Sequence, residues 1–251
     1  MRRKNTEKQG SILYSKKNLS LNEKRAKYFD NAKGSTHDKI NSFTRFISRQ
    51  NIAKLVAQLK MIEMTQNNLG DVVEAGVYYG SGLMGWANIL ASLEPFNYQC
   101  KVIGFDTFKG SVGVSKHDNN KSIRRREGEY KAEVFEDLKK SISLFDEDRP
   151  LNHLSKIEII KGDISKSSKS FAINNPHTNI RILHIGMNLY KPTLSTLKNF
   201  EKFFSKNTVI AVDGLNYSTG GCMRAVREVF NLKNHELKTF DFYPNFTYFK
   251  L

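Results

Sequence analysis

The stretch VVEAGVYYGSGLMGWANIL, Val72 to Leu90, decides how the rest of the chain is read. It begins as a short buried strand, DVVEAG, and continues as a helix that opens at Ser81 and is stopped by Pro95. Gly76, Gly80, Gly82 and Gly85 interrupt it, and one carboxylate, Glu74, precedes the first glycine. A plain core strand followed by a plain core helix needs neither feature. A turn that brings backbone N–H groups close to a ligand needs both the approach and the positive φ that glycine allows. The Gly76–Gly80 spacing is not the G-x-G-x-x-G of dinucleotide folds. Tight strand–helix turns also use glycine for structural reasons alone, so the turn by itself does not decide.

Outward from this stretch the chain alternates. Residues Phe43 to Met64 carry apolar side chains at three- and four-residue spacing, which predicts an amphipathic helix leading into DVVEAG. KVIGFD, KIEIIKGD, IRILHIGM and TVIAVDG read as further strands. AEVFEDLKKSISLF, TLSTLKNFEKFF and GCMRAVREVFNL read as helices, and ELKTFDFYPNFTYFKL as a terminal hairpin. Residues 109–130 are polar and glycine-containing and read as a long loop or lid. Strands alternating with helices imply an α/β protein with a mostly parallel sheet, covered on both faces and closed by an antiparallel C-terminal edge.

Composition bounds the function. The 251 residues are 39% hydrophobic, enough for one good-sized core. No apolar run approaches the ~20 residues of a membrane span, so no membrane partner is expected. The start, MRRKNTEKQGS, is basic but lacks an apolar segment after it, and is not expected to be a secretory signal. Cys100 and Cys222 make neither a disulfide framework nor a zinc set, so a reducing, cytoplasmic setting is expected. The net charge is +15, and residues 1–60 hold fifteen Lys/Arg against four Asp/Glu. The division expected is a basic N-terminal arm, residues 1–40, and one domain with a helical lead-in, residues 41–251. A solvated, partly disordered tail accounts for the arm; a landing surface for phosphate, nucleic acid or an acidic partner is the sharper alternative.

Two acids extend the glycine turn into a site. Asp106 ends the second strand, where a carboxylate can accept hydrogen bonds from both hydroxyls of a ribose. Asp163 ends the third, where an adenine edge would lie. Each alone reads as a helix cap or turn residue; acids at successive carboxyl ends of strands, after a glycine turn, read as a nucleoside site.

These residues resemble class I S-adenosylmethionine-dependent methyltransferases. GFDTFKG, LHIGMNLYKPT and VDGLNY…GCMRAVREVF are similar to the macrocin-type and dTDP-6-deoxyhexose 3-O-methyltransferases, from about Phe43 to Leu251. The resemblance implies a doubly wound, seven-stranded, Rossmann-like sheet and a cofactor lined by Glu74, Gly76, Gly80, Ser81, Asp106 and Asp163, with Tyr78, Thr107 and Ile164 beside them. It implies a sugar or nucleotide-sugar hydroxyl as acceptor and leaves a homo-oligomer open. An RNA substrate for the basic arm is counted against by the same resemblance, so nucleic acid is not the expected partner.

One departure bears on chemistry. The fourth-strand motif of that family carries two acids that help bind a divalent cation; here those positions are Gly186 and Asn188. After the fifth strand, Asp213 is followed by Gly214 where a second acid is usual. Asp213 and Asn188 alone make a weak or absent Mg²⁺ site, because a hard cation wants several oxygen ligands. Three outcomes follow: transfer by a general base, weak metal binding completed by substrate oxygens, or a cofactor-binding scaffold without efficient transfer. Asp213 is the first candidate base and His184 the second, although a histidine inside a strand is more often structural. Arg124–Arg126 could clamp a diphosphate but read more simply as a solvated run. His117 and Asp118 stand too close together to argue for a metal site. The chain shows no Walker loop and no Ser/His/Asp order.

Overall fold

The computed structural model describes residues 16–121, 123–215 and 220–251. The first fifteen residues of the basic arm, and Asn216 and Tyr217 of the VDGLNY motif, lie outside the described residues. The chain divides into two compact units, residues 1–56 and 57–251.

In the first unit, α1 (Lys16–Asn31) and α2 (Thr36–Asn41) precede a 3-10 turn, Phe43–Arg45. Ser35 and Asp38 form a reciprocal capping box at the start of α2. Phe46 meets Tyr28 and Phe29, with ring centroids 5.6 and 5.0 Å apart. Arg45 donates to the Tyr28 hydroxyl at 3.1 Å. These few aromatic side chains gather a segment whose sequence is otherwise polar. The helix expected from Phe43 is divided: α3 runs Arg49–Met64, after the separate turn at Phe43.

The second unit is built on one seven-stranded sheet. Its strands are β1 (Asp71–Ala75), β2 (Val102–Asp106), β3 (Ile157–Lys161), β4 (Ile180–Ile185), β5 (Phe204–Asp213), β6 (Lys238–Phe240) and β7 (Tyr243–Lys250). Their order is β3-β2-β1-β4-β5-β7-β6. β1 to β5 pair in parallel, and β7 runs antiparallel to both β5 and β6. The helices are α4 (Ser81–Leu93), α5 (Phe135–Asp148), α6 (Ile164–Asn174), α7 (Tyr190–Phe200) and α8 (Gly221–Val229). This is the doubly wound α/β architecture expected, with its antiparallel C-terminal edge. The helix α6 was not expected; its sequence, ISKSSKSFAIN, is too serine-rich to signal one, and it forms because Phe171, Ala172 and Ile164 bury against the sheet.

Alternation along the central strands builds two cores. Val72, Val102, Ile182 and Val209 face Leu83, Trp86, Leu90 and Phe145. Val73, Ile103, Leu183 and Ile210 face Phe171, Leu197, Phe200 and Val226. Successive side chains of a strand point to opposite faces, so near-continuous apolar strands serve both layers. The strand order reverses between β1 and β4, and in such sheets ligands bind beyond the carboxyl ends at that reversal. No helix among the described residues is long and apolar enough to cross a membrane.

Candidate active site at the β1–β4 reversal

Glu74 stands opposite His184 in the register of β1 and β4. His184 Nδ1 lies 3.2 Å from Glu74 Oε1, and its Nε2 lies 3.1 Å from Asp213 Oδ1 at the end of β5. Three neighbouring strands thus contribute one continuous Glu74–His184–Asp213 line. His184 is fully buried, between the rings of Trp86 and Phe246. Burial alone disfavours the imidazolium, but the charge of Asp213, its hydrogen bond and Glu74 outweigh it, and the histidine is pushed up to about 9. Both ring nitrogens face carboxylate oxygens, an arrangement that favours the protonated ring. The structural reading of this histidine and its candidate catalytic reading meet here: it is a core residue that holds Asp213.

The glycines serve this arrangement directly. A side chain on Gly82 would overlap Glu74 Oε1, so the carboxylate lies in the space that the missing Cβ leaves. Gln58, also buried, donates to the Gly82 carbonyl at 2.9 Å. Gly76 has φ +100°, and a Cβ there would come within 3.2 Å of Gly186 C and Met187 Cγ. Gly80 precedes α4 as a left-handed cap without any side-chain cap, and Ser81 is the first helical residue.

Asp106, at the end of β2, accepts from Tyr78 N–H at 2.8 Å and from Phe108 N–H at 2.6 Å. It therefore shapes the turn after β1 as well as the exit from its own strand. Tyr78 holds φ +55°, and its exposed ring meets Tyr79 edge-on at 4.5 Å. Thr107 donates to the Gly110 carbonyl at 2.7 Å and so starts the long loop. Asp163 caps α6, accepting from Ser165 N–H at 3.0 Å, and Ile164 is buried beneath it. The cap reading of Asp163 is thus realised in the structure.

On the β4 side, Asn188 has φ +54°. Its Oδ1 is buried without a hydrogen-bond partner. Gly186 leaves a gap next to Asp213: a Cβ there would lie 3.6 Å from Asp213 Oδ2, an ordinary contact. Among the described residues no group of three His, Cys, Asp or Glu side chains could hold a metal ion. Of the residues expected from the sequence, the structure gathers Glu74, His184 and Asp213 in one line and ties Asp106 to Tyr78. A separate cleft of about 300 Å³, between Gln66, Asn68, Cys100 and Arg181, lies at the opposite, amino-terminal ends of the strands.

The sequence offers Asp118 only as a metal ligand too close to His117; the structure buries it fully in the loop between β2 and α5. Its local signal was present: Ser115 and Asp118 have capping-box spacing, and they form the reciprocal box. Its long-range partner was not signalled.

No family model matches the sequence, and no curated protein matches it. Solved structures do match its fold. A crystal structure of CalS11, calicheamicin methyltransferase, superposes with TM-score 0.88 at 22% identity, over 95% of this chain and 94% of that one. The apo structure of CalS11, TDP-rhamnose 3'-O-methyltransferase, gives TM-score 0.81 at 21% identity, over 95% and 96%. The O-methyltransferase NovP gives 0.62 at 21% identity, over 79% of each chain. At these identities the likeness establishes the fold: the chain has the Rossmann-like α/β fold of these O-methyltransferases.

Proposed function

We propose that the protein is an S-adenosylmethionine-dependent O-methyltransferase acting on a hydroxyl of a sugar or nucleotide-linked sugar. The observation that carries this reading is the pairing, at one sheet reversal, of an open glycine turn with a buried His184 that aligns Asp213. The fold shared with the TDP-rhamnose enzyme supports it. The reading takes residues 41–251 as the transferase domain and residues 1–40 as its basic arm.

The residues present fit the cofactor. No side chain caps the start of α4, so an anionic carboxylate can approach its first N–H groups. Gly76, at φ +100°, carries no side chain of its own on the turn before α4. Asp106 retains lone pairs for hydroxyl donors beyond the two amides it binds. Bound S-adenosylmethionine would supply an electrophilic methyl group on sulfur. Asp213 would take the acceptor hydroxyl proton at Oδ2, the oxygen beside the Gly186 gap, while His184 holds Oδ1. The orphaned Asn188 Oδ1 would accept from a second hydroxyl of the acceptor and orient it.

The same donors do not fit Mg²⁺. Gly186 offers no oxygen ligand from a side chain, and Asp213 Oδ1 lies 3.1 Å from the His184 ring nitrogen. Asp213 and Asn188 fall short of the six oxygen ligands in near-octahedral geometry that the ion takes. The proposed transfer therefore uses no metal-bound step.

The deciding experiment is calorimetric titration with S-adenosylhomocysteine, followed by methyl-transfer assays with free and nucleotide-linked sugars, with and without magnesium. Binding and metal-independent transfer are the expected results; no binding overturns the proposal. Binding without transfer to any acceptor would favour the second reading, a cofactor-binding protein, which the replaced acids at Gly186 and Asn188 motivate.

A further inference from the structure

The loop between β2 and α5 contains a buried carboxylate with no place in the site described above. Asp118 accepts from Ser115 N–H at 2.8 Å and Ser115 Oγ at 2.7 Å, both through Oδ2. Its Oδ1 accepts from Tyr190 N–H at 2.6 Å. Tyr190 is the first residue of α7, far away in sequence. Burying a carboxylate is costly unless hydrogen bonds replace its water. Here three donors do so, and the positive end of the α7 dipole adds to them.

Two further contacts fix the same point. A side chain on Gly221, the first residue of α8, would overlap Asp118 Oδ1, so α8 closes directly onto the carboxylate. The His117 ring lies 4.7 Å from the Tyr190 ring. The loop's other half reaches the opposite side of the sheet reversal. Arg125 N–H donates to Asn119 Oδ1 at 2.6 Å, and its guanidinium donates to the Tyr130 hydroxyl at 3.0 Å. The Tyr130 ring meets Tyr78, on the turn after β1, at 6.4 Å. A chain of contacts therefore runs from the starts of α7 and α8, through the loop, to the glycine turn. α7 follows Asn188 and α8 follows Asp213 in the chain, so the loop is tied to the two segments that carry the acceptor-side groups.

We propose that Asp118 is a positioning residue: it latches the loop over residues 107–134 to the starts of α7 and α8, and so registers that loop over the Asn188–Asp213 site. The functional half of this inference rests on the methyltransferase reading; the latch itself does not. Breaking the Asp118–Tyr190 bond frees the middle of the loop, which carries Lys116, Lys121 and Arg124–Arg126, all trypsin targets.

The test compares trypsin cleavage in wild type, Asp118→Ala, Asp118→Asn, Tyr190→Ala and Tyr190→Pro, with the urea midpoint of each. Alanine at 190 keeps the donor N–H, whereas proline removes it and sets its ring Cδ against Asp118 Oδ1, which lies 2.6 Å from that nitrogen. Proline suits the first helical position, and Leu189 before it is already extended at φ −130° and ψ 146°. Local proteolysis follows the population of the open form. Losing a charged hydrogen bond should raise cleavage at residues 116–126 by about tenfold or more in Asp118→Ala and Tyr190→Pro. Tyr190→Ala should cleave clearly more slowly than Tyr190→Pro, and Asp118→Asn should fall between wild type and Asp118→Ala. Midpoints should fall by no more than the loss that the cleavage ratio reports, because the same bond is missing from the folded state in both measurements. Equal cleavage for Tyr190→Ala and Tyr190→Pro, or cleavage spread along the whole chain with a midpoint lowered beyond that loss, would overturn the latch. In the same variants, bound S-adenosylhomocysteine should dissociate faster. A wild type that binds none counts against the cofactor reading alone, because the proteolysis comparison needs no ligand.

Discussion

His184 Nε2 sits 3.1 Å from Asp213 Oδ1 while its Nδ1 sits 3.2 Å from Glu74 Oε1, so one buried imidazole answers two carboxylates on two other strands. The relationship makes His184 a stability residue as well as a positioning one. His184→Ala should lower unfolding free energy by about 3–5 kcal/mol, the usual cost of stranding buried charge. Urea denaturation checks this. A loss below about 1 kcal/mol would mean that water reaches both carboxylates.

Asp106→Ala should weaken S-adenosylhomocysteine binding by about 1.5–3 kcal/mol, the range for a hydrogen bond to a charged group. Both a lost ribose acceptor and a loosened Tyr78 turn act in that direction. Isothermal titration reads the change, and unaltered affinity would remove Asp106 from the cofactor site.

Wild type should show no magnesium binding by titration in the absence of acceptor. Gly186→Asp combined with Asn188→Asp should bind it measurably, because position 186 has ordinary contacts for a Cβ, the nearest at 3.5 Å. Gly214 is a poorer place to add the third acid: its φ of +58° strains most side chains, although Asp tolerates that region better than most. Tight binding by wild type would show that oxygen ligands other than Asp213 and Asn188 complete a site.

Acid stability should depend on Glu94. Burial by itself raises its pKa, but the Arg181 hydrogen bonds, at 3.1 and 3.0 Å, together with Asn97 and nearby positive charge, hold it below the usual value. A carboxyl lowered in the folded state contributes stability above its unfolded pKa of about 4.3 and loses it as pH falls through the folded value. Unfolding free energy of wild type should therefore decline below about pH 5 more steeply than that of Glu94→Gln. Parallel pH profiles for the two proteins would refute this. Glu94→Gln should also be less stable at pH 7, since Arg181 is fully buried and loses its counter-charge.

Much of the fold was legible in the sequence. Apolar runs such as VIAVD and IRILHI, separated by helical patterns, specify a parallel sheet because both faces must be covered. The glycines around Gly76 and the acids at strand ends marked the reversal, since backbone approach and strand-end charge are local properties. Helix α6 stayed hidden because its stability comes from burial of a few side chains against the sheet, a contact its own serine-rich sequence does not signal. The division of the lead-in helix at Phe46 likewise depends on Tyr28 and Phe29 meeting that ring.

The sequence by itself determined the class of sheet, the position of the glycine turn and the absence of side-chain carboxylates at Gly186 and Asn188, because each is written in residues close together along the chain. Only tertiary structure decided what the remaining polar groups do. Glu74, His184 and Asp213 become one line through the pairing of β1, β4 and β5, and Asp118 finds Tyr190 through the packing of a loop on α7. Hydrogen bonds of that kind form between groups far apart in sequence, so no local pattern encodes them. Their strength comes from burial, which exists only once the two cores have closed.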